Sequence, residues 1–491
     1  MLLPLVLVGL DANSAGWREI STVLFRARSA ILLWHTVELM AVVVVAAGAL
    51  GIASAWATQR CALPLRRLWT VLLVLPIAMP DFVVGYTWHT LWPGLNPLLG
   101  SAAVMTLGTY PLVYLPVAAA LRRSDPVLED TARGLAAGRL KTFWRISLPQ
   151  IRVAATAGSV LVVLTVISEY GAFEVLRFST FTTEIFTEFQ IDPASAGALS
   201  IPLVLIGLLV LAAEALLLRR QVSATRSVRY PPPRGHWSPR ILAVMAGLVV
   251  PVGLGVALPV ATLIYWIQRG QHTTLPAAAT LGQATWASVS YSALGAAVAV
   301  AAALPVALLT FRRRSSVRTL IDRSCFVTQA VPGVVVALSL VFLATRYLYS
   351  LYQSGPLLVA AYAILHFPLA LACIKGATAA APARLYDMAT SLGRHPVAAF
   401  LRVTLPLMAP GLLAGFCLVF LTAITELTAT LVLAPIGVST LATQFWAFQS
   451  EVAYSAAAPY ALAIVVIAVV PGALLGLWFD RDNAAVQGGP A

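Results

Sequence analysis

The chain has 491 residues, of which 60% are hydrophobic and 10% charged, and its mean hydropathy is +0.87. This balance excludes a soluble globular domain, because the surface of such a domain needs polar cover. The formal net charge is +13, but the basic residues lie mainly in short segments between apolar runs. That distribution follows the positive-inside rule and requires no nucleic-acid partner.

Apolar runs of about 20 residues, the length that crosses a hydrocarbon core as a helix, recur along the chain. The short first segment, MLLPLVLVGL, counts as a partial first span that is truncated or enters the bilayer obliquely. The sequence therefore predicts an all-α polytopic membrane protein embedded in lipid. The predicted spans lie near 31–57, 68–91, 100–121, 152–177, 196–218, 241–267, 284–310, 319–343, 356–378, 408–433 and 455–479.

Basic residues predict the orientation of these spans. They concentrate in segments 60–67, 122–152, 219–240, 311–318 and 379–405, which the positive-inside rule places in the cytoplasm. Segment 219–240 contains three consecutive prolines and alternating polar residues, a composition typical of a linker. The predicted organisation is a first transmembrane domain over 1–220, a cytoplasmic linker over 221–240, a second transmembrane domain over 241–480 and a short tail over 481–491.

The chain repeats itself at an ungapped offset of 257 residues. Matched positions include Tyr110 with Phe367, Leu128 with Leu385, Asp130 with Asp387, Ala132 with Ala389, Leu135 with Leu392, Phe143 with Phe400, Arg145 with Arg402, Leu148-Pro149 with Leu405-Pro406, and Glu169 with Glu426. About six spans in each half, an even number, give two parallel repeats in one orientation. We expect the pathway to follow the axis between the repeats.

A polar segment interrupts the apolar runs in each repeat. Leu128, Ala132 and Leu135 are spaced i, i+4, i+7, which predicts a short helix with one apolar stripe. Such a helix either lies in the lipid headgroup layer or is presented to a groove on a soluble partner. The duplication favours the partner, because lipid contact does not explain one conserved spacing. Pro149 and Pro406 suit the first turn of the next helix.

These segments resemble the EAA loop of ABC importer permeases. The first copy has Asp130, Thr131, Ala132, Phe143, Leu148 and Pro149; the second has Asp387, Met388, Ala389, Gly393, Phe400, Leu405 and Pro406. The resemblance covers nearly the whole chain, as two permease domains in one polypeptide. Segments 167–189 and 424–433 are most similar to ferric-iron transport permeases, although fused thiamine and phosphonate permeases share the architecture.

The resemblance implies that each loop is a coupling helix that docks onto an ATP-binding subunit. It implies two copies of that subunit on the cytoplasmic side, a solute-binding protein on the outer side, and a place in a bacterial inner membrane. Two features depart from the family pattern. Asp130 and Asp387 replace the usual Glu, and Ala136 replaces the expected Gly that the second copy keeps as Gly393. Gly permits a left-handed turn or a close backbone approach that Ala resists, so the two helices are expected to differ.

No ATP-binding or catalytic motif is present in the sequence. GxxxxGK[ST] and HExxH are both missing, and no Ser/His/Asp arrangement is recognisable. We therefore expect a transport permease rather than an enzyme, with no cofactor bound by this chain and with ATP and Mg²⁺ used by partner subunits. The four scattered cysteines lack metal-ligand spacing, and no metal site is assigned.

Ionisable residues inside predicted spans are candidates for the translocation pathway. The candidates are Asp81, Glu169 with the adjacent Tyr170, and Glu426. Carboxylate oxygens suit a hard cation. Alternatively, each carboxylate pairs with a neighbouring hydroxyl or extends to the interface.

The predicted function is the membrane permease of an ATP-driven importer for ferric iron. One alternative is the same architecture importing thiamine, a phosphonate or another small solute. The other is a secondary transporter driven by an ion gradient. Such a transporter needs no ATP-binding subunit and would carry its charged residues near the membrane midplane.

Overall fold

The computed structural model describes residues 6–7, 17–124, 126–135, 138–219, 235–270, 275–312, 324–325, 327–381 and 383–484. All regular elements in these ranges are helices, which confirms the predicted fold class. The partial first span predicted over 1–10 lies outside the described residues, apart from Val6 and Leu7.

Helices up to the linker are numbered in chain order. They are α1 (Trp17–Leu24), α2 (Ala27–Arg60), α3 (Arg66–Val74), α4 (Asp81–Leu91), α5 (Pro97–Arg123), α6 (Pro126–Gly134), α7 (139–168), α8 (Gly171–Val175), α9 (Phe181–Ile191) and α10 (Pro193–Arg219). Helix α7 is continuous, with the π turn Phe143–Ser147 between Arg139–Thr142 and Leu148–Ser168.

The helices beyond the linker repeat this order. They are α11 (Pro239–Arg269), α12 (Ala278–Arg312), α13 (Gly333–Tyr347), α14 (Gly355–Ala380), α15 (Ala383–Ser391), α16 (Pro396–Ile424), α17 (Thr428–Leu433), α18 (Leu441–Ser450) and α19 (Tyr454–Ala484). Helices α11 and α16 each contain a π turn, Gly253–Ala257 and Phe400–Thr404.

Nine helices in the described part of the chain are long and apolar enough to cross a membrane, or ten if one bent pair counts as a span. The bent pair is the predicted span 68–91, which turns by 87° between Arg66–Ala78 and Asp81–Leu91. Pro80 at the break has no backbone N–H to continue the helix. In place of the predicted span 319–343, the described residues show the shorter apolar helix α13.

Two predicted spans, 152–177 and 408–433, end earlier than hydropathy suggests. Helix α7 ends at Ser168 and α16 ends at Ile424, and a glutamate, Glu169 or Glu426, lies within two residues of each end. Short helices α8 and α17 then resume after a break. The predicted ends of these spans, at 177 and 433, are therefore wrong, because the apolar composition continues through a backbone turn.

The chain divides into two compact units. One comprises 24–184, 202–262 and 476–491, and the other comprises 1–23, 185–201 and 263–475. Within the first unit, the indole N–H of Trp88 on α4 donates to the carbonyl oxygen of Leu254 on α11 at 3.4 Å. The linker boundaries at 220 and 240 stay a prediction, because 220–234 lie outside the described residues.

Small residues bring the spanning helices close together. In the first unit, a Cβ on Gly51 of α2 would lie 2.9 Å from the carbonyl oxygen of Tyr110, and one on Gly158 of α7 would lie 2.7 Å from the Cα of Val113. Helices α2 and α7 therefore both pack closely against α5. In the second unit, a Cβ on Gly411 would lie 2.3 Å from that of Ala377. Such approaches give membrane helices their packing contacts.

Candidate docking helices and intramembrane carboxylates

The helix predicted to dock onto a partner in the first repeat is α6 (Pro126–Gly134), called the first docking helix below. It exposes apolar side chains while burying a carboxylate. Leu128 is 52% exposed and Leu135, just beyond the helix, is 80% exposed, whereas Glu129 is 1% exposed. An isolated surface helix has the opposite pattern, because it buries apolar groups and solvates charged ones. Exposed leucines on this face fit either the lipid headgroup layer or an apolar surface on a partner.

The residues predicted for the first coupling loop lie on this helix and on α7. Asp130 and Thr131 are exposed and Ala132 is half-buried. The Thr131 hydroxyl donates to the carbonyl oxygen of Val127 at 2.7 Å, one turn earlier. Ala136 lies outside the described residues, so its predicted difference from Gly393 stays a prediction.

The second docking helix, α15 (Ala383–Ser391), shows the same pattern of exposure. Met388 is 60% exposed and Leu392 is 83% exposed. Asp387 is exposed and Ala389 is half-buried, like their partners Asp130 and Ala132. Both repeats therefore present a short helix with an apolar face turned away from their own spanning helices.

Gly393 ends the second docking helix in a left-handed turn, with a φ of +80°. Its N–H donates to the Thr390 carbonyl at 3.0 Å, and the Arg394 N–H donates to the Ala389 carbonyl at 3.1 Å. These two bonds define the Schellman motif, which satisfies the last carbonyls of a helix. A Cβ at Gly393 would meet nothing within 4 Å. Of the two roles predicted for this glycine, the structure shows the turn and not the close approach.

Phe143 and Phe400 each begin a π turn at the same place in the two repeats. The Leu148 N–H donates to the Phe143 carbonyl, and the Leu405 N–H donates to the Phe400 carbonyl. Each turn precedes a proline, whose ring would clash with the carbonyl four residues earlier in a regular α-helix. As predicted, Pro149 and Pro406 lie in the first turn of the α-helical segments Leu148–Ser168 and Leu405–Ile424. The π turn that joins each segment to the helix before it was not predicted.

Glu169 and Glu426 occupy matched positions at the breaks after α7 and α16. The Ala172 N–H donates to Glu169 Oε1 at 2.8 Å, and the Ala429 N–H donates to Glu426 Oε1 at 3.0 Å. Both side chains are half-buried. Each carboxylate thus accepts a bond from the first turn of the short helix that follows, where a negative charge is favoured. The alternative partner predicted from the sequence was a neighbouring hydroxyl, and this backbone partner was not predicted.

Asp81 is the first residue of α4, and its carboxylate lies against the backbone of α5. A Cβ on Gly108 would lie 2.0 Å from Asp81 Oδ1, so this position of α5 has no room for a side chain. Glu169 acts electrostatically on the Asp81 carboxyl group, and α4 packs against the short helix after Glu169, where a Cβ on Gly85 would lie 3.4 Å from the Cα of Ala172. The first repeat therefore gathers two carboxylates at the bend that follows Pro80.

The corresponding site in the second repeat has one carboxylate, Glu426. The segments AMPDFVVG (78–85) and AVPGVVVA (330–337) align, and Gly333 stands where Asp81 stands. A Cβ on Gly333 would lie 3.3 Å from Glu426 Oε1. Glu426 therefore lies against the glycine that replaces the aspartate.

Tyr170, predicted on the pathway beside Glu169, is 4% exposed. Its repeat partner Leu427 is equally buried at 4%. Both side chains are therefore buried, and the pathway role of Tyr170 stays a prediction.

A further repeated feature follows the short helices, at an offset of 260 rather than 257 residues. The Thr180 N–H donates to Thr183 Oγ1 at 2.9 Å, and the Thr440 N–H donates to Thr443 Oγ1 at the same distance. Three residues before each pair the backbone is left-handed, at Arg177 with φ +57° and at Gly437 with φ +78°. An ungapped search misses this match because the second repeat has three extra residues before it.

In the first repeat this turn borders a polar cleft of about 210 Å³, lined in part by Glu174, Arg177 and Thr183. Across the ranges that the structure describes, no group of three or more His, Cys, Asp or Glu side chains could hold a metal ion. The carboxylates described above are thus arranged as single and paired groups.

Comparison with known protein families matches residues 31–223 and 295–482 to one family, the inner membrane component of binding-protein-dependent transport systems. The two matched segments fall one in each half, which confirms the predicted duplication. Several characterised relatives share this similarity over different lengths.

An Fe(3+)-transport system permease protein of Haemophilus influenzae is 34% identical over 489 residues, which cover 97% of this chain and 95% of the relative. A sulfate transport system permease protein of Salmonella typhimurium is 28% identical over 190 residues, or 35% of this chain and 68% of the relative. A molybdenum transport system permease protein of Escherichia coli is 30% identical over 193 residues, or 33% and 82%. The chain belongs to the family of binding-protein-dependent transport system inner membrane components, and it is a multi-pass permease of the inner membrane.

Proposed function

We propose that this chain is the permease subunit of an ATP-driven importer that carries ferric iron. The observation that carries this proposal is the end-to-end similarity to the Haemophilus influenzae Fe(3+) permease, which covers 97% of this chain. The sulfate and molybdenum relatives match 35% and 33% of it. Similarity through both repeats and the linker region favours a shared substrate class over a shared fold alone.

The charges near the membrane breaks support a cationic substrate. Asp81, Glu169 and Glu426 are carboxylates at or near the ends of apolar helices. Hard oxygen ligands suit a hard cation, and they would repel an oxyanion such as sulfate or molybdate. Intramembrane carboxylates commonly mark ion pathways. We assign the three to the path of the iron.

The two docking helices support the partner assignment. Each presents exposed apolar side chains, Leu128 on α6 and Met388 on α15, at one end of its repeat. An ATP-binding subunit on each helix would supply the energy that this chain, lacking a phosphate-binding motif, does not generate. ATP must bind one conformation of the assembly more tightly than the other, since equal affinity shifts no equilibrium. A solute-binding protein would deliver the iron on the outer side.

The test is uptake into vesicles that contain this chain, its ATP-binding subunits and its solute-binding protein. We expect ATP-dependent accumulation of ferric iron and none of sulfate or molybdate. Oxyanion uptake, or iron uptake without the ATP-binding subunits, would overturn the proposal.

Two substitutions test the carboxylates without removing their structural bonds. In Glu169→Gln and Glu426→Gln the amide oxygen can still accept the bonds from Ala172 and Ala429, so only the charge is lost. We expect iron uptake to fall about tenfold in each, since contacts to charged groups contribute roughly 1.5–3 kcal/mol. Glu174→Gln, an exposed carboxylate in the first repeat, is the matched control and should leave uptake unchanged. Equal uptake by all three variants would remove Glu169 and Glu426 from the pathway.

A further inference from the structure

A buried ion pair joins the first docking helix to a spanning helix 69 residues away in the chain. Arg60 is the last residue of α2, and its Nε donates to Glu129 Oε1 on α6 at 3.2 Å. The Arg60 side chain is 11% exposed and that of Glu129 is 1% exposed. A cation at this end of α2 also interacts favourably with the helix dipole.

The surrounding hydrogen bonds extend this junction to the end of α5. Arg60 Nη2 donates to Ser124 Oγ at 2.5 Å and to the Ser124 carbonyl at 3.4 Å. The preceding residue, Gln59, accepts from Arg122 Nε at 3.1 Å and also from Arg66 at the start of α3. The ends of α2, α3 and α5 and the docking helix therefore meet in one buried polar network.

Such a network resists local distortion. Removing one member of a buried, hydrogen-bonded charge pair leaves an uncompensated charge and is strongly destabilising. Exposed ion pairs, by contrast, contribute little. The docking helix is thus held by a contact that cannot break without leaving a buried charge unpaired, so displacing the helix favours displacing α2 with it.

The second repeat has different residues at these positions. At the offset of 257, Glu129 corresponds to Tyr386 and Ser124 corresponds to Ala381. Tyr386 is half-buried on α15, and a tyrosine supplies no carboxylate for an ion pair. The two docking helices share their exposed faces but not this anchor.

We propose that the Arg60–Glu129 pair is a tether that makes the first docking helix move as one body with α2, so that the first repeat transmits the movement of its partner more rigidly than the second. The transmission depends on the proposed function, because it needs an ATP-binding subunit on each helix. The tether itself does not depend on the proposed function, because both members of the ion pair belong to this chain. Arg60 and Glu129 are positioning residues, and neither contacts the substrate.

The first experiment measures amide hydrogen exchange of the full chain in lipid nanodiscs, without partners. Glu129→Gln should speed exchange over 126–134 by at least about tenfold, because one partner of a buried pair loses its charge. Exchange over 383–391 should not change. Glu451→Gln, at an exposed carboxylate far along the chain, is the control and should leave both segments unchanged. Unchanged exchange over 126–134 in Glu129→Gln would overturn the tether.

A double-mutant cycle shows whether Arg60 is the partner that matters. Arg60→Gln alone should speed exchange over 126–134 as Glu129→Gln does. The double variant should be no worse than either single variant, since contacting residues are non-additive. Additive effects in the double variant would mean that the two side chains act separately and would overturn the pairing.

The second experiment measures the ATP hydrolysed per iron imported by the complete assembly in vesicles. Glu129→Gln should raise this ratio about fivefold, within the range of coupling between distant sites. Tyr386→Phe, the variant at the matched position, should leave it unchanged. Faster exchange with an unchanged ratio would limit the pair to a structural role and overturn the transmission. Failure of every variant, and of the unaltered chain, to import iron would refute the proposed function and leave the exchange result to decide the tether.

Discussion

Both repeats contain the short exposed helix, the π turn and the hydrogen-bonded threonine pair, and they differ in the charges around these features. Phe143 and Phe400 begin matched π turns, but Glu129 is replaced by Tyr386 and Asp81 by Gly333. Backbone geometry is shared because both repeats must connect a docking helix to a spanning helix through a proline. The charged contacts have diverged. The two repeats therefore share their backbone architecture and differ in their carboxylates and in the Arg60–Glu129 ion pair, which belongs to the first repeat.

The largest expected effect comes from the exposed faces of the docking helices. Leu128→Asp in the first and Met388→Asp in the second each place a charge on a face that we assign to an ATP-binding subunit. Central interface residues commonly contribute about 2 kcal/mol or more, so binding should weaken at least about tenfold. Deleting 387–393 should abolish transport, and Gly393→Asp should uncouple it without unfolding the spanning helices.

Co-purification of the ATP-binding subunits with each variant measures this effect. Leu128→Met and Met388→Leu keep an apolar surface of similar volume and serve as matched controls. Comparison of the two aspartate variants also shows which repeat binds its partner more tightly. Full stoichiometric binding by both aspartate variants would refute the docking assignment.

The second prediction compares the surroundings of Asp81 with those of Gly333, the residue at the matched position of the second repeat. Gly108→Ala would place a Cβ 2.0 Å from Asp81 Oδ1 and should destabilise the fold by about 1–3 kcal/mol, as overpacking does. Gly333→Ala in the other repeat should cost less, because its Cβ would lie 3.3 Å from Glu426 Oε1.

Thermal unfolding in detergent measures both changes, and a second substitution isolates their cause. In an Asp81→Ala background the Gly108→Ala change should be tolerated, since contacting sites are non-additive. An undiminished cost in that background would show that the clash lies elsewhere than at the Asp81 carboxylate.

A third prediction compares two glycines of the second repeat that both have open space around them. Gly393→Ala should destabilise the end of α15 by roughly 1–2 kcal/mol, because its φ of +80° is costly for an L-residue. Gly376→Ala, inside helix α14, should stabilise that helix by about 0.5–1 kcal/mol. Hydrogen exchange of the two helices reads out the opposite signs. The same sign at both positions would contradict the assigned turn.

The smallest effect compares the matched left-handed turns. Gly437→Ala should destabilise by about 1 kcal/mol, because Ala must adopt a φ of +78°. Arg177→Gly relieves similar strain at φ +57° but adds freedom to the unfolded chain, so its net change should stay within roughly 0.5 kcal/mol. Unfolding midpoints check both values. A large stabilisation by Arg177→Gly would mean that the arginine side chain makes no compensating contact.

The sequence predicted the features that depend on local spacing. An offset of 257 residues located both docking helices and paired Glu169 with Glu426, and the hydrophobic runs located most of the spanning helices. It did not predict the breaks after Ser168 and Ile424, because apolar composition continues past them while the backbone turns. Pro149 correctly indicated the first turn of an α-helical segment, but the π turn that precedes it has no distinctive local pattern.

Contacts between distant residues were also beyond prediction. Glu129 looked like one more charge on a polar loop, and only the structure places it against Arg60. The informative feature was a difference between the repeats, because Tyr386 stands at the position that matches Glu129. Aligning the repeats draws attention to positions that agree and not to positions that differ. Gly108 gave no signal either. Only glycine fits there because the Asp81 carboxylate, on another helix, occupies the space that a side chain would fill.

In the proposed mechanism, both docking helices couple this chain to ATP hydrolysis that drives ferric-iron import. Iron uptake into vesicles, with and without the ATP-binding subunits, tests it most directly. We predict uptake that requires ATP and those subunits and that is lost when 387–393 are deleted. Full iron uptake by the chain alone, driven by an ion gradient, would contradict the claim and identify a secondary transporter.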